Sequence, residues 1–308
     1  MTTTLHPEVI PLRQASREMV RELGFLSGAF VEAGVTHAQC HALIELGARG
    51  VLGVGELAEL LRLDKSTVSR TVAQLQRARM VTRAGDGADR RRKGVTLTSL
   101  GRRRVDRIDE IANARVQNAL AQLSETDRHA VARGMDLYAR ALSRSRRVGE
   151  FAVREIQKRD DAGVARLIRT VMPEFGAQGP GFAILDPEVD GMTAAYRGPR
   201  ARYWVLTRNR RIVGGGGYAQ LAGAERDICE LRKMYFYPEA RGLGLGEALL
   251  DRILTDAKRA GFERCYLETL GSMSQARRLY EKKGFARLSA PRGHTGHFGC
   301  NAWYQRSL

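Results

Sequence analysis

A glycine-rich turn between a strand and a helix is the feature that most constrains this chain. Residues 230–250 read ELRKMYFYPEARGLGLGEALL: a strand-like stretch ends at Tyr237, Pro238 stops its pairing, and a helical pattern opens near Gly244. Glycines let the backbone turn tightly, and the start of a helix presents free N–H groups. A turn of this kind suits a pyrophosphate.

Two well-known phosphate-binding turns do not fit the spacing. A dinucleotide-binding turn needs GxGxxG, and Glu247 stands where the last glycine belongs. The GxxxxGK[ST] loop does not occur in the sequence. The spacing Arg241-x-x-Gly244-x-Gly246 instead resembles motif A of the GNAT superfamily of N-acetyltransferases.

A second segment carries the same resemblance. Residues 273–288, MSQARRLYEKKGFARL, are similar to motif B of that superfamily, with its A-x-x-L-Y-x-x-x-G-F core between Ala276 and Phe285. Met273 departs from the pattern, because motif B commonly has Asn there, and this removes a polar contact to the cofactor arm. The resemblance covers residues 151–308 and implies an α/β fold with a mixed sheet.

The resemblance also implies acetyl-CoA as co-substrate and an amine as acceptor. It puts the pyrophosphate on the backbone of residues 242–246 and the pantetheine arm beside the strand that precedes them. The implied cofactor-binding residues are Met234, Phe236, Arg241, Gly242, Leu243, Gly244 and Gly246.

Acetyl transfer to an amine needs a base for the ammonium and an acid for the departing thiolate. By the resemblance, Tyr280 matches the general acid and Glu230 the general base. A strand glutamate also pairs readily with a neighbouring cation, here Arg232, so that alternative stays open. His294 and His297 are further candidates for lining the acceptor pocket, but we assign no role to these two residues.

The first half of the chain follows a different pattern. Residues 55–79 predict a helix, a tight turn and a second helix, and residues 81–97 predict a two-stranded hairpin. In the second helix Val68, Val72 and Leu75 form one buried stripe. Polar residues remain on the exposed face, namely Ser66, Thr67, Ser69, Arg70 and Gln74.

Short polar side chains and an arginine near a helix N-terminus suit base edges in the major groove, and a basic hairpin tip suits phosphates or the minor groove. Ten basic residues and two acids lie between Arg77 and Arg104. The predicted DNA-binding residues are Ser66, Thr67, Ser69, Arg70, Arg90, Arg91 and Arg92.

Residues 56–104 resemble the MarR family of winged-helix regulators. The match includes ELAELLRLDKSTVSRTVAQLQRARMV, a D-x-R element at Asp89 and Arg91, and an L-T-x-x-G step at residues 97–101. With its flanking helices it covers residues 7–146 and implies a homodimer that binds near-palindromic double-stranded operator DNA. The lengthened wing entry, AGDGADRRRKG, departs from the family pattern.

The predicted fold class is therefore two domains: an all-α winged helix-turn-helix domain with a β-wing over residues 1–148, and an α/β GNAT domain over residues 149–308. The net charge of +17 is spread over both halves, so overall basicity does not locate the DNA site. No Cys or His spacing suggests a metal. Without a signal-peptide pattern or an apolar run of ~20 residues, we expect a cytoplasmic, non-membrane protein.

The remaining elements follow from periodicity and caps. Gly214–Gly217 inside a predicted strand indicates a bulge or a close approach to substrate. Further helices are predicted over 7–30, 36–48, 98–123, 124–144, 160–174, 244–260 and 273–283, and strands over 151–156, 203–207, 211–219, 228–237, 264–269, 285–289 and 302–306.

Three functional hypotheses fit this organisation. The first is a bifunctional protein that binds DNA and transfers acetyl groups. The second is a regulator whose C-terminal half only senses acetyl-CoA or a small amine, and intact Arg241, Gly244, Gly246 and Tyr280 favour the first over it. The third is an enzyme that uses its first half only to dimerise, and the basic cluster at residues 90–93 argues against it.

Overall fold

The computed structural model describes residues 5–27, 29–84 and 94–308. The chain divides into two compact units, Met1–Ala132 and Arg133–Leu308. This division lies inside a helix, and the domain boundary predicted at residue 148 stays a prediction. In the described residues, no helix combines the length and apolar character needed to cross a membrane.

The first unit is mainly helical, as predicted. Its elements are α1 (Val9–Glu22), β1 (Ala29–Phe30), β2 (Val35–Thr36), α2 (His37–Arg49), α3 (Val54–Leu61), α4 (Lys65–Arg77), β3 (Val81–Ala84), β4 (Gly94–Leu97), α5 (Ser99–Leu120) and the start of α6 (Glu125–Gly149). Strands β3 and β4 form the expected antiparallel hairpin, and β1 pairs with β2.

The helix predicted over residues 7–30 is wrong in its second half. Helix α1 ends at Glu22, and Gly24 has a φ of 73°. A glycine in this left-handed conformation stops a helix. The chain then makes a short 3₁₀ turn at Phe25–Ser27 before β1 begins.

The helix-turn-helix forms as the sequence predicts. Arg62 has a φ of 55° and ends α3, and Asp64 caps α4 by accepting a hydrogen bond of 2.8 Å from the backbone N–H of Thr67. The apolar stripe of α4 is buried in the core of the first unit, as predicted for Val68, Val72 and Leu75.

The start of α5 is locked to the start of β3. The hydroxyl of Thr98 accepts from the backbone N–H of Gly101 at 3.1 Å and donates to the carbonyl of Arg79 at 2.7 Å. A Cβ atom on Gly101 would overlap the carbonyl oxygen of Met80. Only glycine therefore allows α5 to approach the hairpin this closely.

The second unit is a mixed α/β structure, as predicted. After the C-terminal part of α6 its elements are β5 (Phe151–Glu155), α7 (Asp161–Val171), α8 (Met192–Ala195), β6 (Arg202–Arg208), β7 (Arg211–Gln220), β8 (Ile228–Phe236), α9 (Leu245–Arg259), β9 (Arg264–Thr269), α10 (Ser274–Lys282), β10 (Ala286–Leu288) and β11 (Ala302–Ser307). Helix α6 runs to Gly149, beyond the predicted end, and α7 stops before Pro173, short of the predicted residue 174.

Within residues 133–308, one seven-stranded sheet has the order β10-β11-β9-β8-β7-β6-β5. All its neighbouring strands are antiparallel except β8 and β9, which are parallel. Tyr203 and Val205 pack in the cluster that includes α7, while Trp204 packs in the cluster that includes α9. Because alternate strand residues face opposite sides, α7 and α9 cover opposite faces of the sheet.

The glycine run in β7 accompanies a bulge. The pairing of β7 with β8 shifts between Gly215 and Gly217. A Cβ on Gly214 would overlap the ring of Phe236, one on Gly215 would lie 2.7 Å from Tyr203 Oη, and one on Gly216 would lie 3.1 Å from Met234. The small residues thus let large side chains of β6 and β8 cross β7.

We expect Gly101→Ala to destabilise the first unit by roughly 1–3 kcal/mol, since the added methyl group forces α5 away from β3. Urea unfolding measures the change in the free energy of unfolding. Hydrogen exchange of the amides in α4 and α5 then shows whether the loss lies in the first unit. Gly55→Ala is the matched control, because a Cβ at Gly55 meets no atom within 4 Å among the described residues. Equal stability of the two variants would contradict the packing described for Gly101.

Candidate functional site

A cleft opens where the parallel strands β8 and β9 separate. The two strands pair only from Ile228 with Arg264 to Glu230 with Tyr266. Beyond these pairs they diverge and border a cleft of about 740 Å³. Its lining comes from the separated parts of both strands, the segment after β8, and α10, and it includes Met234, Phe236, Gly244, Gly246, Glu268, Thr269 and Tyr280.

A bulge at Lys233 helps to hold the strands apart. Lys233 has a φ of 51°, a conformation that is costly for a side chain other than glycine. Its carbonyl accepts a hydrogen bond of 2.9 Å from Tyr203 Oη. Its ammonium is buried and ion-paired with Asp186 at 2.6 Å and Glu188 at 2.7 Å. These bonds compensate both the backbone strain and the burial of the charge.

The glycine turn forms one end of the cleft. Gly242 and Gly244 have φ values of 72° and 83°, and Gly244 is the N-cap of α9. Side chains rarely adopt this left-handed conformation, which explains the glycines. Because α9 begins at Leu245, the amides of its first turn have no carbonyl one turn earlier to bind. The turn therefore offers N–H donors and the positive end of a helix dipole to an anion.

The side chain of Arg241 supports this turn. Its Nε donates to the carbonyl of Phe236 at 2.8 Å, and its Nη2 lies 2.8 Å from the carboxylate of Glu174. Its guanidinium also lies 5.5 Å from the centre of the Phe175 ring. The arginine of the motif therefore connects the end of β8 to the turn, and it occupies the carbonyl of Phe236.

Tyr280 stands on α10 in the wall of the cleft. Its ring packs against those of Phe285 and Tyr304, with centroids 5.9 Å and 6.4 Å away. Burial raises the pKa of Tyr280, so its hydroxyl keeps its proton at neutral pH. A protonated hydroxyl in an open cleft is the property that a general acid needs.

Glu230 lies at the last pair before the strands separate. Its carboxylate is buried and accepts a hydrogen bond of 2.6 Å from Arg232 Nε. This is the ion pair with Arg232 that the sequence offered as the alternative to a role as base. The role of base predicted for Glu230 stays a prediction.

A second charged cluster lies beside the cleft and joins three distant segments. His297 Nε2 lies 3.0 Å from Asp186 Oδ2, and His297 Nδ1 lies 3.7 Å from Glu268 Oε2. Glu268 also accepts hydrogen bonds from Tyr266 Oη at 2.7 Å and Thr295 Oγ1 at 3.0 Å. The sequence predictions missed this role of Asp186 and Glu268 and left His297 without one.

The charges in this cluster shift one another's protonation. Burial raises the pKa of Glu268. Burial opposes the charged form of Asp186, yet its bonds to His297 and Lys233 lower its pKa to about 2. Burial also opposes protonation of His297, but the hydrogen bond to Asp186 raises its pKa above the ordinary value. The cluster thus sets a carboxylate with a lowered pKa beside a carboxyl group and an imidazole whose pKa values are both raised.

In the first unit the polar residues of α4 lie where the sequence predicted. Ser66, Ser69 and Arg70 are exposed, and Thr67 is half-buried. The Asp64 carboxylate accepts hydrogen bonds from the hydroxyls of Ser66 at 2.5 Å and Thr67 at 2.6 Å. Arg70 Nη2 donates to Thr67 Oγ1 at 3.2 Å. Among the residues that the structure describes, these groups form one ordered polar patch at the N-terminal end of the helix.

The predicted wing residues Arg90, Arg91 and Arg92 lie outside the described residues. The hairpin is described from Val81 to Ala84 and from Gly94 to Leu97. Strand β4 also pairs with Leu52, since the N–H of Val95 donates to the Leu52 carbonyl at 2.8 Å and the Leu52 N–H donates back at 3.1 Å. Strand β4, at the base of the wing, is therefore hydrogen-bonded along both of its edges, to β3 on one and to Leu52 on the other.

Comparison with known protein families matches both halves. Residues 166–285 match the model of the acetyltransferase (GNAT) family, and residues 33–92 match the model of the MarR family. The uncharacterized N-acetyltransferase YjgM of Escherichia coli K12 is 41% identical over 157 residues, which are 51% of this chain and 94% of that protein. The IAA acetyltransferase of Azospirillum brasilense is 38% identical over 103 residues, 33% of this chain and 62% of that protein.

Two solved structures resemble the second half. An acetyltransferase of the GNAT family from Staphylococcus aureus Mu50 is 21% identical, with a TM-score of 0.46, over 51% of this chain and 99% of its own. YncA of Salmonella typhimurium, solved with its cofactor acetyl-CoA, is 19% identical, with a TM-score of 0.43, over 52% of this chain and 94% of its own. From the match to its residues 166–285 and the likeness to YjgM, the chain belongs to the GNAT family of acetyltransferases, and it carries a MarR-family domain over residues 33–92.

Proposed function

We propose that this protein binds operator DNA as a homodimer and transfers the acetyl group of acetyl-CoA to an amine. The observation that carries the enzymatic part is the parting of β8 and β9. It leaves a cleft with an anion-binding turn at one end and the hydroxyl-bearing Tyr280 in its wall. A protein that only senses acetyl-CoA needs the turn, but it does not need a proton-donating hydroxyl in the cleft.

The cleft fits acetyl-CoA in shape and chemistry. Its free strand edge suits the amide-bearing pantetheine arm, and the turn at residues 242–246 suits the pyrophosphate. In this proposal the backbone of Met234 and the N–H of Phe236 hold the arm. Arg241 keeps the turn in shape, and its side chain does not bind the phosphates. The bound co-substrate supplies an acetyl group activated as a thioester.

Tyr280 is the proposed general acid. Its hydroxyl holds a proton in the cleft and gives it to the sulfur as the thiolate leaves. Burial raises its pKa, so this proton is in place at neutral pH. Packing against Phe285 and Tyr304 holds its ring in place.

The proton of the acceptor ammonium goes to a buried carboxylate in this proposal. Arg232 holds the carboxylate of Glu230. Two described glutamates line the cleft, and one of them, Glu247, is paired with Lys282 and Lys283, which leaves Glu268. We therefore propose Glu268 as the base, with His297 beside it.

The DNA-binding part rests on the polar patch of α4. Asp64 fixes the hydroxyls of Ser66 and Thr67, and Arg70 extends from the same face. Pre-ordered short side chains beside an arginine match the donors and acceptors of base edges in the major groove. Ser69 and the wing residues predicted at Arg90, Arg91 and Arg92 complete the proposed contact surface.

The proposed homodimer rests on exposed apolar side chains of the long helices. Helix α6 exposes an apolar stripe with steps of three and four residues, the spacing of a helix–helix contact. The first unit exposes a second apolar group on α1. The side chains concerned are Val131, Met135, Tyr138 and Leu142 on α6, and Ile10, Leu12 and Met19 on α1.

A screen for acetyl-CoA consumption across amines, with and without operator DNA, tests the enzymatic proposal. An amine that raises thiol release above the background identifies the acceptor class. Binding of acetyl-CoA without turnover on any amine, including lysine peptides, would favour the sensor instead.

We expect Tyr280→Phe to lower kcat with the selected amine by roughly 100-fold, since the departing thiolate loses its proton donor. The dissociation constant of acetyl-CoA, measured by calorimetry, changes little, because the ring still packs against Phe285. The control is Tyr218→Phe, whose hydroxyl bonds to Asp256 of α9, away from the residues that line the cleft. Unchanged turnover of the Tyr280 variant would remove this residue from the mechanism.

We expect Glu268→Gln to lower kcat/KM by about 100-fold or more and to remove its rise with pH. Burial raises the pKa of Glu268, so the ionised form that accepts a proton increases as pH rises through that value. Glu230→Gln is the matched variant and keeps the ascending limb of the pH profile. The reverse result, with the limb lost only in Glu230→Gln, would return the role of base to Glu230.

For the first unit, we expect Arg70→Ala to weaken binding to the operator by about 1–3 kcal/mol more than binding to unrelated DNA. Fluorescence anisotropy at several salt concentrations measures both affinities. Arg77→Ala, an exposed arginine at the other end of the same helix, is the control and keeps the discrimination. An equal loss on both DNAs would show that Arg70 contacts phosphates only.

A further inference from the structure

One side chain that contacts the glycine turn belongs to a residue outside the glycine-rich motif. Arg144 lies in α6, the helix that precedes the first strand of the sheet. Its Nε donates to the carbonyl of Leu243 at 3.4 Å. A Cβ atom placed on Gly244 would lie 3.0 Å from Arg144 Nη2. The guanidinium therefore lies directly against the turn that begins α9.

The end of α6 is packed in a way that keeps Arg144 there. Val148 follows Arg144 by one helical turn and so lies on the same side of α6. It packs against the apolar cluster beneath the turn, to which Leu243 and Leu245 also belong. Both leucines are buried and flank Gly244. The apolar residues between the glycines therefore join the turn to α6.

The other cations near the turn are already neutralised. Arg241 is paired with Glu174 at 2.8 Å. Lys282 and Lys283 are paired with Glu247 at 2.8 Å and 3.0 Å. No described carboxylate forms an ion pair with Arg144, whose bond to Leu243 leaves its charge uncompensated. Arg144 thus adds a free positive charge to a turn that already favours anions.

We infer that Arg144 binds a phosphate of acetyl-CoA, so that the helix joining the two halves of the chain forms part of the co-substrate site. This inference rests on the proposed function. A guanidinium forms paired, charge-assisted hydrogen bonds with phosphate oxygens, and Nη2 is free to do so while Nε keeps its bond to Leu243. Binding of acetyl-CoA therefore also orders the last turns of α6.

The test compares a ligand that has phosphates with one that lacks them. Calorimetry measures binding of acetyl-CoA and of acetyl-pantetheine to the full chain and to Arg144→Gln. We expect the variant to bind acetyl-CoA on the order of 10-fold more weakly, with a smaller salt dependence. Its affinity for acetyl-pantetheine stays at the value of the parent. Arg147→Gln is the matched control, an exposed arginine of the same helix turn, and changes neither affinity.

Hydrogen exchange gives a second readout that does not depend on activity. Acetyl-CoA should protect residues 140–149 in the parent and in Arg147→Gln, and protect them less in Arg144→Gln. Circular dichroism verifies that the variants are folded, and Arg144→Lys should restore part of the affinity.

The outcomes separate this inference from the proposed function. If the parent binds acetyl-CoA and Arg144→Gln binds it equally well, the inference is wrong and the proposed function stands. If the variant loses affinity for both ligands equally, Arg144 only supports the turn, which also overturns the inference. If the parent itself does not bind acetyl-CoA, both fail.

Discussion

The parting of two parallel strands determines what the second half of this protein can do. Strands β8 and β9 share only three paired positions, and everything beyond them is an open edge. An open edge inside a sheet is unstable unless bulges, buried charges or a ligand support it. Here the bulge at Lys233, its two carboxylate partners and the hydrogen bond from Tyr203 provide that support.

The same constraint connects residues that otherwise seem unrelated. The glycine run of β7 makes room for Tyr203 of β6 and for Met234 and Phe236, which follow the bulge in β8. Lys233 bonds to Asp186, which in turn bonds to His297. The buried ammonium of Lys233 therefore holds in place the segment of loops and short helices before β6, to which Asp186 belongs. The shape of the cleft and the position of its carboxylates have one physical origin.

Sequence reasoning succeeded where the determinant was local. The glycine turn and the helix-turn-helix each depend on a few neighbouring residues, and they could be predicted directly from the sequence. The end of α1 was missed because Gly24 was not given the weight of a helix stop.

The charged cluster could not be read in this way. His297 and Asp186 are 111 positions apart, and no periodic pattern connects them. Two of its charged residues lie inside predicted strands: a lysine at residue 233 and a glutamate at residue 268. Each of these residues needs a partner, but only the fold identifies which one. Long-range charge pairing is set by topology, and one sequence does not encode topology locally.

In the function proposed here, assembly and co-substrate binding share helix α6 without competing. Its exposed apolar stripe runs from Val131 to Leu142, while Arg144 and Val148 face the turn. At 3.6 residues per turn these two sets point in directions about 130° apart. A partner helix on the stripe therefore leaves the arginine free. In the proposed function, one helix can thus take part in both the dimer contact and the co-substrate site.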